Sequence, residues 1–151
     1  MFNYHDIQEG DLATTLHLVK DTFDLFQKPD YTAEGVQSFY DFISEDHIKQ
    51  ALRTHKLHLY GCFHNQILVG ILGIRQPHHI CLLFVDQAYH RQGIAAQLVA
   101  NWKQTLKPGA TITVNSSPYA VPAYEKMGFS STSASQTIDG ITFVPMSCLL
   151  D

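Results

Sequence analysis

Apolar residues recur near the start of the chain at Leu12, Leu16, Val19, Phe23 and Phe26, stepping by four and three. That spacing lays them on one helix face, with Asp11 placed to cap the start and Lys28-Pro29-Asp30 to stop it. Residues 2–7 read as a short strand before it. Val36, Phe39, Tyr40 and Ile43 predict a second helix with Thr32 at its cap. Ser44 is placed to cap a further short helix bearing Ile48 and Leu52.

The period then changes. Residues 57–63 and 67–75 read as strands joined by a turn at 64–66, and 78–86 as a third strand, apolar enough to lie centrally in a sheet. A loop over 87–92 leads into a helix whose stripe is Ile94, Leu98, Trp102 and Leu106, ended by Pro108-Gly109. A short strand over 111–115 and a helix over 116–127 follow, the helix capped by Ser116 or Ser117 and closed at Gly128. The chain ends in a hairpin, 129–138 and 141–150, about an Asp139-Gly140 turn. Pro145 inside its last strand predicts a bulge or an unpaired edge position. The order β-α-α-β-β-β-α-β-α-β-β describes an α/β protein with a mixed sheet.

The 151 residues match one domain, 1–151, and no repeat or linker interrupts them. With 45% hydrophobic and 16% charged residues, the balance is globular. A net charge of −4 without a basic stripe argues against a nucleic-acid partner and leans towards a cationic or neutral substrate. Cys62, Cys81 and Cys148 are odd in number, widely spaced and in strand-like runs, which reads as buried free thiols in a reducing compartment. No basic segment followed by an apolar stretch opens the sequence, and the longest apolar run, 80–85, is too short to span a bilayer. A cytoplasmic protein with no membrane partner is expected. Nine histidines invite a metal, yet no His-Glu-x-x-His or Cys-x-x-Cys pairing occurs, and His55 and His58 fall on opposite strand faces. No metal is expected.

The chemistry is concentrated in residues 82–98, where an apolar strand turns through His90-Arg91-Gln92-Gly93-Ile94-Ala95 into a helix. A helix start offers free N–H groups and the positive end of its dipole, and small residues at 93 and 95 let an anion approach. Local physics alone leaves two readings open, a phosphate cradle or an ordinary strand–turn–helix. The glycine spacing fits neither a nucleoside-triphosphate loop nor a dinucleotide fingerprint.

This stretch resembles the acetyl-CoA-binding motif of the GNAT superfamily, Gln/Arg-x-x-Gly-x-Gly/Ala, with His90 at the first position. A second block, Asn115-Ser116-Ser117-Pro118-Tyr119-Ala120 through Tyr124-Glu125-Lys126-Met127-Gly128-Phe129, is similar to the later motif of the same family. Residues 30–43 resemble a bacterial branch of small acetyltransferases. The resemblance implies a mostly antiparallel mixed sheet of about seven strands, flanked by about four helices and splayed at the cofactor site. It implies acetyl-CoA as co-substrate and an amine, on a small molecule or peptide, as acceptor. Backbone groups of Leu83 and Val85 would meet the pantetheine arm and the acetyl oxygen. Amides of Arg91, Gln92, Gly93, Ile94 and Ala95 would hold the pyrophosphate, and Asn115 and Ala120 would line the arm.

Tyr124 matches the general acid of the family; the plain alternative is a core tyrosine on a helix face. His79 lies at the offset where some members carry a catalytic Glu, and a solvated strand-start histidine is the equal alternative; His78 faces the other way. The acceptor is expected near residues 20–45 and the late hairpin. There Phe23, Phe26, Tyr31, Phe39, Tyr40 and Phe42 accompany Asp24, Asp30, Glu34 and Asp41, and a few aromatics would line a pocket for a cationic amine. Two classes of function follow, a catalytic acetyltransferase and a non-catalytic acyl-CoA-binding or sensing module. An exposed last strand would allow a homodimer.

Overall fold

A computed structural model describes residues 1–151. Its elements run β1 (Phe2–Asp6), α1 (Leu12–Phe26), α2 (Ala33–Phe42), α3 (Glu45–Arg53), β2 (Leu57–His64), β3 (Ile67–Arg75), β4 (His79–Val85), α4 (Ile94–Lys103), β5 (Thr111–Ser116), α5 (Val121–Lys126), β6 (Ser130–Ser131), β7 (Gln136–Ile138) and β8 (Ile141–Leu149). Eight strands form an open sheet in the order β1-β2-β3-β4-β5-β8-β6, with β7 also paired to β8. Every pairing is antiparallel except β4 with β5. The count exceeds the expected seven strands and four helices by one of each.

The fifth helix is α3, the short helix expected behind Ser44, whose hydroxyl accepts a hydrogen bond from the His47 amide. The extra strand arises because the expected 129–138 strand breaks into β6 and β7. Pro145 causes the break: its carbonyl accepts from Thr132 N at 2.9 Å, but it has no N–H to return. Pairing resumes only at Gln136↔Phe143. The last strand is therefore no exposed edge, being flanked by β5 on one side and β6 and β7 on the other.

Other boundaries shift for local reasons. The Asp11 side chain makes no cap bond, because a 3-10 turn at Glu9–Asp11 runs directly into α1. Thr32 caps α2 as expected, accepting from Gly35 N at 3.1 Å. The expected 116–127 helix is a 3-10 turn, Pro118–Ala120, followed by the short α5. Pro122 lacks the N–H that a continuous helix would direct at residue 118. Of the three free cysteines only Cys62 is fully buried.

β3 is buried along almost its whole length and separates two cores. On one face Val19 and Phe23 of α1 and Ile48 of α3 pack on Leu59, Ile71, Leu82 and Phe84. On the other, Ile94, Leu98 and Trp102 of α4 pack on Leu72, Ile80, Ile112 and Val114. Both stripes are the helix faces that the sequence periodicity marks.

The start of α2 is clamped to the tip of the last hairpin. Thr32 N donates to Gly140 O at 3.3 Å, and Gly140 takes the left-handed φ of +78°. A Cβ on Gly35 would overlap the Gly140 carbonyl. Glycine at a helix position normally costs about 0.5–1 kcal/mol relative to alanine, so Gly35→Ala on a free helix would stabilise. Here the overlap reverses the sign: Gly35→Ala is expected to lose about 1–3 kcal/mol by urea unfolding. A stabilised variant would mean that the clamp is not formed in solution.

Candidate active site

β4 and β5 pair at only two positions, His79↔Thr113 and Ile80↔Val114, and then part. The cause lies one residue further on. The β3–β4 register slips between Gly73↔Leu82 and Ile74↔Ile80, which leaves Cys81 as the extra residue of a β-bulge. Cys81 and Leu82 thus both face the α1–α2 layer, where the partly buried thiol Sγ donates to Gly73 O at 3.5 Å. Beyond the bulge, Asp86 N still donates to Val69 O on β3, so by alternation the N–H and C=O of Leu83 and Val85 point away from β3, into the gap. The bulge selects which residues present backbone to the gap.

The gap is a cleft of about 140 Å³. Leu83, Asn115, Ala120 and Tyr124 all line it, so the structure brings these four expected residues together. Gln27, Tyr31, Phe39 and Phe42 complete it from the α1–α2 side. Tyr124 is only 6% exposed, packs edge-on against Phe129 and lends its hydroxyl to no hydrogen bond within the chain. Burial, followed by the neighbouring Cys81, pushes its phenol above the usual tyrosine range. It holds its proton throughout the neutral range. Burial likewise pushes the Cys81 thiol up to about 12.

Past the mouth of the cleft lies the loop before α4. Asp86 Oδ1 accepts from Ala88 N at 2.9 Å and fixes a 3-10 turn at Gln87–Tyr89. Arg91 and Gly93 both take left-handed φ, +65° and +77°. For a non-glycine residue such as Arg91 this stores about 1–2 kcal/mol of strain, the kind of outlier that collects at functional sites. The amides of Arg91, Gln92 and Gly93 donate to no backbone carbonyl. Those of Ile94 and Ala95 belong to the first helical turn, where no carbonyl precedes them at the right distance. Nothing lies within 4 Å of a Cβ built on Gly93, so the cradle is open.

Two features are invisible to motif reading. His90, at the position where the motif carries Gln or Arg, donates from Nε2 to Val85 O at 2.8 Å. Its ring lies 5.1 Å from that of Phe26, which also stacks at 5.6 Å on Tyr119. Phe26 therefore bridges the two lips of the gap between cleft and cradle. Secondly, His79 is not among the residues lining the cleft. It sits at the closed end, where Nδ1 shares a 2.8 Å hydrogen bond with Thr113 Oγ1. Burial and then the Arg75 charge push its pKa down to about 4. The β-bulge has no sequence signature, and neither feature follows from residue types alone.

Comparison with known proteins agrees with this architecture. The family model described as acetyltransferase (GNAT) domain matches residues 27–150. A 61-residue stretch is 39% identical to the uncharacterized N-acetyltransferase YafP of Escherichia coli (strain K12), covering 40% of this chain and only 38% of that protein's length. Among solved structures, a GCN5-related N-acetyltransferase from Rhodopseudomonas palustris superposes with a TM-score of 0.81 at 18% identity, covering 98% of this chain and 95% of that one. The PaiA N-acetyltransferase of Thermoplasma acidophilum, in complex with coenzyme A, gives 0.76 at 14% identity over 99% of both chains.

The site bears on stability in two measurable ways. Removing the unpartnered Tyr124 hydroxyl should be nearly neutral, so Tyr124→Phe is expected to stay within about 0.5 kcal/mol of wild type in urea unfolding. A larger loss would reveal a hydrogen bond to that hydroxyl. For His79, the folded pKa near 4 lies below the unfolded 6.5. Between those values the unfolded chain binds a proton that the native state refuses, so stability falls as pH drops through that window. His79→Asn should flatten the slope of unfolding midpoint against pH between 6.5 and 4; parallel slopes would place the histidine in water.

Proposed function

The chain belongs to the GNAT acetyltransferase family, and on that premise we propose that it moves the acetyl group of acetyl-CoA to a primary amine by direct attack, both substrates bound together. The observation that carries this reading is the continuity of an open amide cradle at 91–95 with a cleft holding an unpartnered, protonated Tyr124 hydroxyl. The residues fit the cofactor: free amides for a pyrophosphate, ladder-free backbone at Leu83 for an acyl thioester, and a narrow passage between them. Bound there, acetyl-CoA supplies a thioester carbonyl open to attack by an uncharged nitrogen.

The roles of the protein's own groups follow. The amides of Arg91, Gln92, Gly93, Ile94 and Ala95 would bind the diphosphate with the help of the α4 dipole. Leu83 N–H would donate to the acyl oxygen as negative charge develops there. The N–H of Val85 would meet the pantetheine amides; its carbonyl is already engaged by His90. Asn115 and Ala120 would form the opposite wall. Tyr124 Oη would hand its proton to the departing sulfur. His79 receives no proton-transfer role, because its imidazole is committed to Thr113 outside the cleft.

At about 100 times its Kd, acetyl-CoA should add ~2.7 kcal/mol to stability, read as a rise in Tm. Gly93→Glu should abolish that rise by placing bulk and negative charge in the cradle. No rise in the wild type would remove the cofactor from the reading. Tyr124→Phe should keep the rise yet lower kcat at the low end of the ~10²–10⁴-fold range of general acid catalysis. Stabilisation by acetyl-CoA without thiol release from any amine would instead indicate a binding module.

A further inference from the structure

We propose that the acceptor is an aromatic amine, an uncharged and weakly basic NH₂ group carried on a flat apolar ring. This rests on the acetyl-transfer reading above and names the substrate class of the same cleft.

The first observation is the state of α2. Gly35 is its only buried residue, although the helix also carries Val36, Phe39, Tyr40 and Phe42. Phe39 and Phe42, with Tyr31 just before the helix, line the cleft opposite Cys81, Leu82 and Phe84. A helix normally buries its aromatic rings in the core. Here Phe39 and Tyr31 pack on the buried Phe23 with one face and leave the rest of their surface on the cleft, a surface that suits a planar ring.

The second observation is charge. No Asp, Glu, Lys, Arg or His lines the cleft. The four carboxylates expected to attract a cation all lie off the lining, and two of them are engaged by neighbours. Asp24 accepts from Tyr40 Oη at 2.5 Å and pairs with Lys20 at 3.2 Å, while Asp41 accepts from Gln37 at 2.9 Å. Asp30 and Glu34 are exposed and off the lining. Lys20 and Lys28 lie 4.9 and 6.0 Å from the Tyr40 ring, with Lys20 paired to Asp24, and both are outside the cleft lining. An alkylammonium entering this cleft would lose its water without gaining a counter-charge, and a buried unpaired charge is strongly disfavoured.

The third observation concerns protons. Tyr124 keeps its own, and His79 faces Thr113 and Arg75 rather than the cleft. No lining group strips a proton from an ammonium. An aromatic amine needs none stripped, because its nitrogen is neutral at pH 7. Among the uncharged polar side chains of the lining, Gln27 stands on the α1–α2 side and can accept from the amine's N–H groups. The reaction balances without an external acid or base: the nitrogen forms the C–N bond and loses one hydrogen, the C–S bond breaks, and the sulfur gains one. The products are the acetanilide and coenzyme A thiol.

The test uses two isomers of one formula, 4-methylaniline and benzylamine, with spermidine as a polycation. Thiol release and acetylated product are measured with acetyl-CoA at pH 7 and pH 9. An alkylamine with a pKa near ~10 is neutral in only about one molecule in a thousand at pH 7. The neutral alkylamine is the stronger nucleophile, which offsets much of this, so the expected kcat/KM for 4-methylaniline at pH 7 exceeds that for benzylamine by about tenfold. Benzylamine should gain up to about tenfold per pH unit while 4-methylaniline stays flat. Phe42→Ala should lower kcat/KM for 4-methylaniline about tenfold and keep the acetyl-CoA-induced rise in Tm. Benzylamine or spermidine equal to or better than 4-methylaniline at pH 7 overturns the proposal, as does Phe42→Ala without effect. Stabilisation by acetyl-CoA with no aromatic amine consumed overturns it too. Absence of any acetyl-CoA effect on Tm would instead sink the acetyl-transfer reading beneath it.

Discussion

One broken ladder organises this molecule. β4 and β5 share two residue pairs and then diverge behind the bulge at Cys81. Parallel neighbours in a sheet ordinarily continue, because each unpaired N–H or C=O buried away from water costs about 1–3 kcal/mol. Leu83 and Val85 are only partly buried, so their unpaired groups can meet water in the gap and stand as a row ready for an extended partner. His90 meets one of them by donating to Val85 O. The rest is left to solvent or ligand, the condition for a cleft that binds a chain by its amides. The open loop at 91–93, the cleft and the Tyr124 hydroxyl come together only because this gap joins them.

Much of this is legible in the sequence, for identifiable reasons. The faces of α1 and α4 follow from 3.6-residue spacing, and both build the cores that the spacing implies. Thr32 and Ser44 cap their helices because a short hydroxyl side chain has few other ways to satisfy an N–H at that point. The two motif blocks single out Leu83, Asn115, Ala120 and Tyr124, and all four line one cleft although more than 30 residues separate the blocks' ends.

What stays hidden is set by register rather than residue type. A bulge shifts alternation by one residue, and nothing in His79-Ile80-Cys81-Leu82 announces it. That shift separates His79 from the cleft while Cys81 lines it. The role of His90 depends on where Val85 ends, and the break between β6 and β7 depends on Pro145 lying opposite Thr132. The acidic residues around α2 look like a cation site in one dimension. In three dimensions Asp24 and Asp41 answer Tyr40, Lys20 and Gln37 instead.

A sheet parted along its middle needs other ties, and three bridge the two halves. At the back, α4 packs Leu98 and Trp102 into one core with Ile80 of β4 and Ile112 and Val114 of β5. At the mouth, Phe26 stacks between His90 on one lip and Tyr119 on the other. At the front, the Thr32 amide and Gly35 sit against the Gly140 carbonyl, joining α2 to the last hairpin. The three differ in kind. The first is a buried apolar core, costly to open, and it fixes the angle of the gap. The second is a stack whose Tyr119 is 57% exposed, and the third a backbone contact at a hairpin tip. Those two can yield at far lower cost. The rigid tie therefore lies behind the cleft, and the yielding ones flank its mouth and front, where a cofactor and an acceptor would enter. Such a distribution would let a cleft of about 140 Å³ widen at its mouth without disturbing the bulge at Cys81.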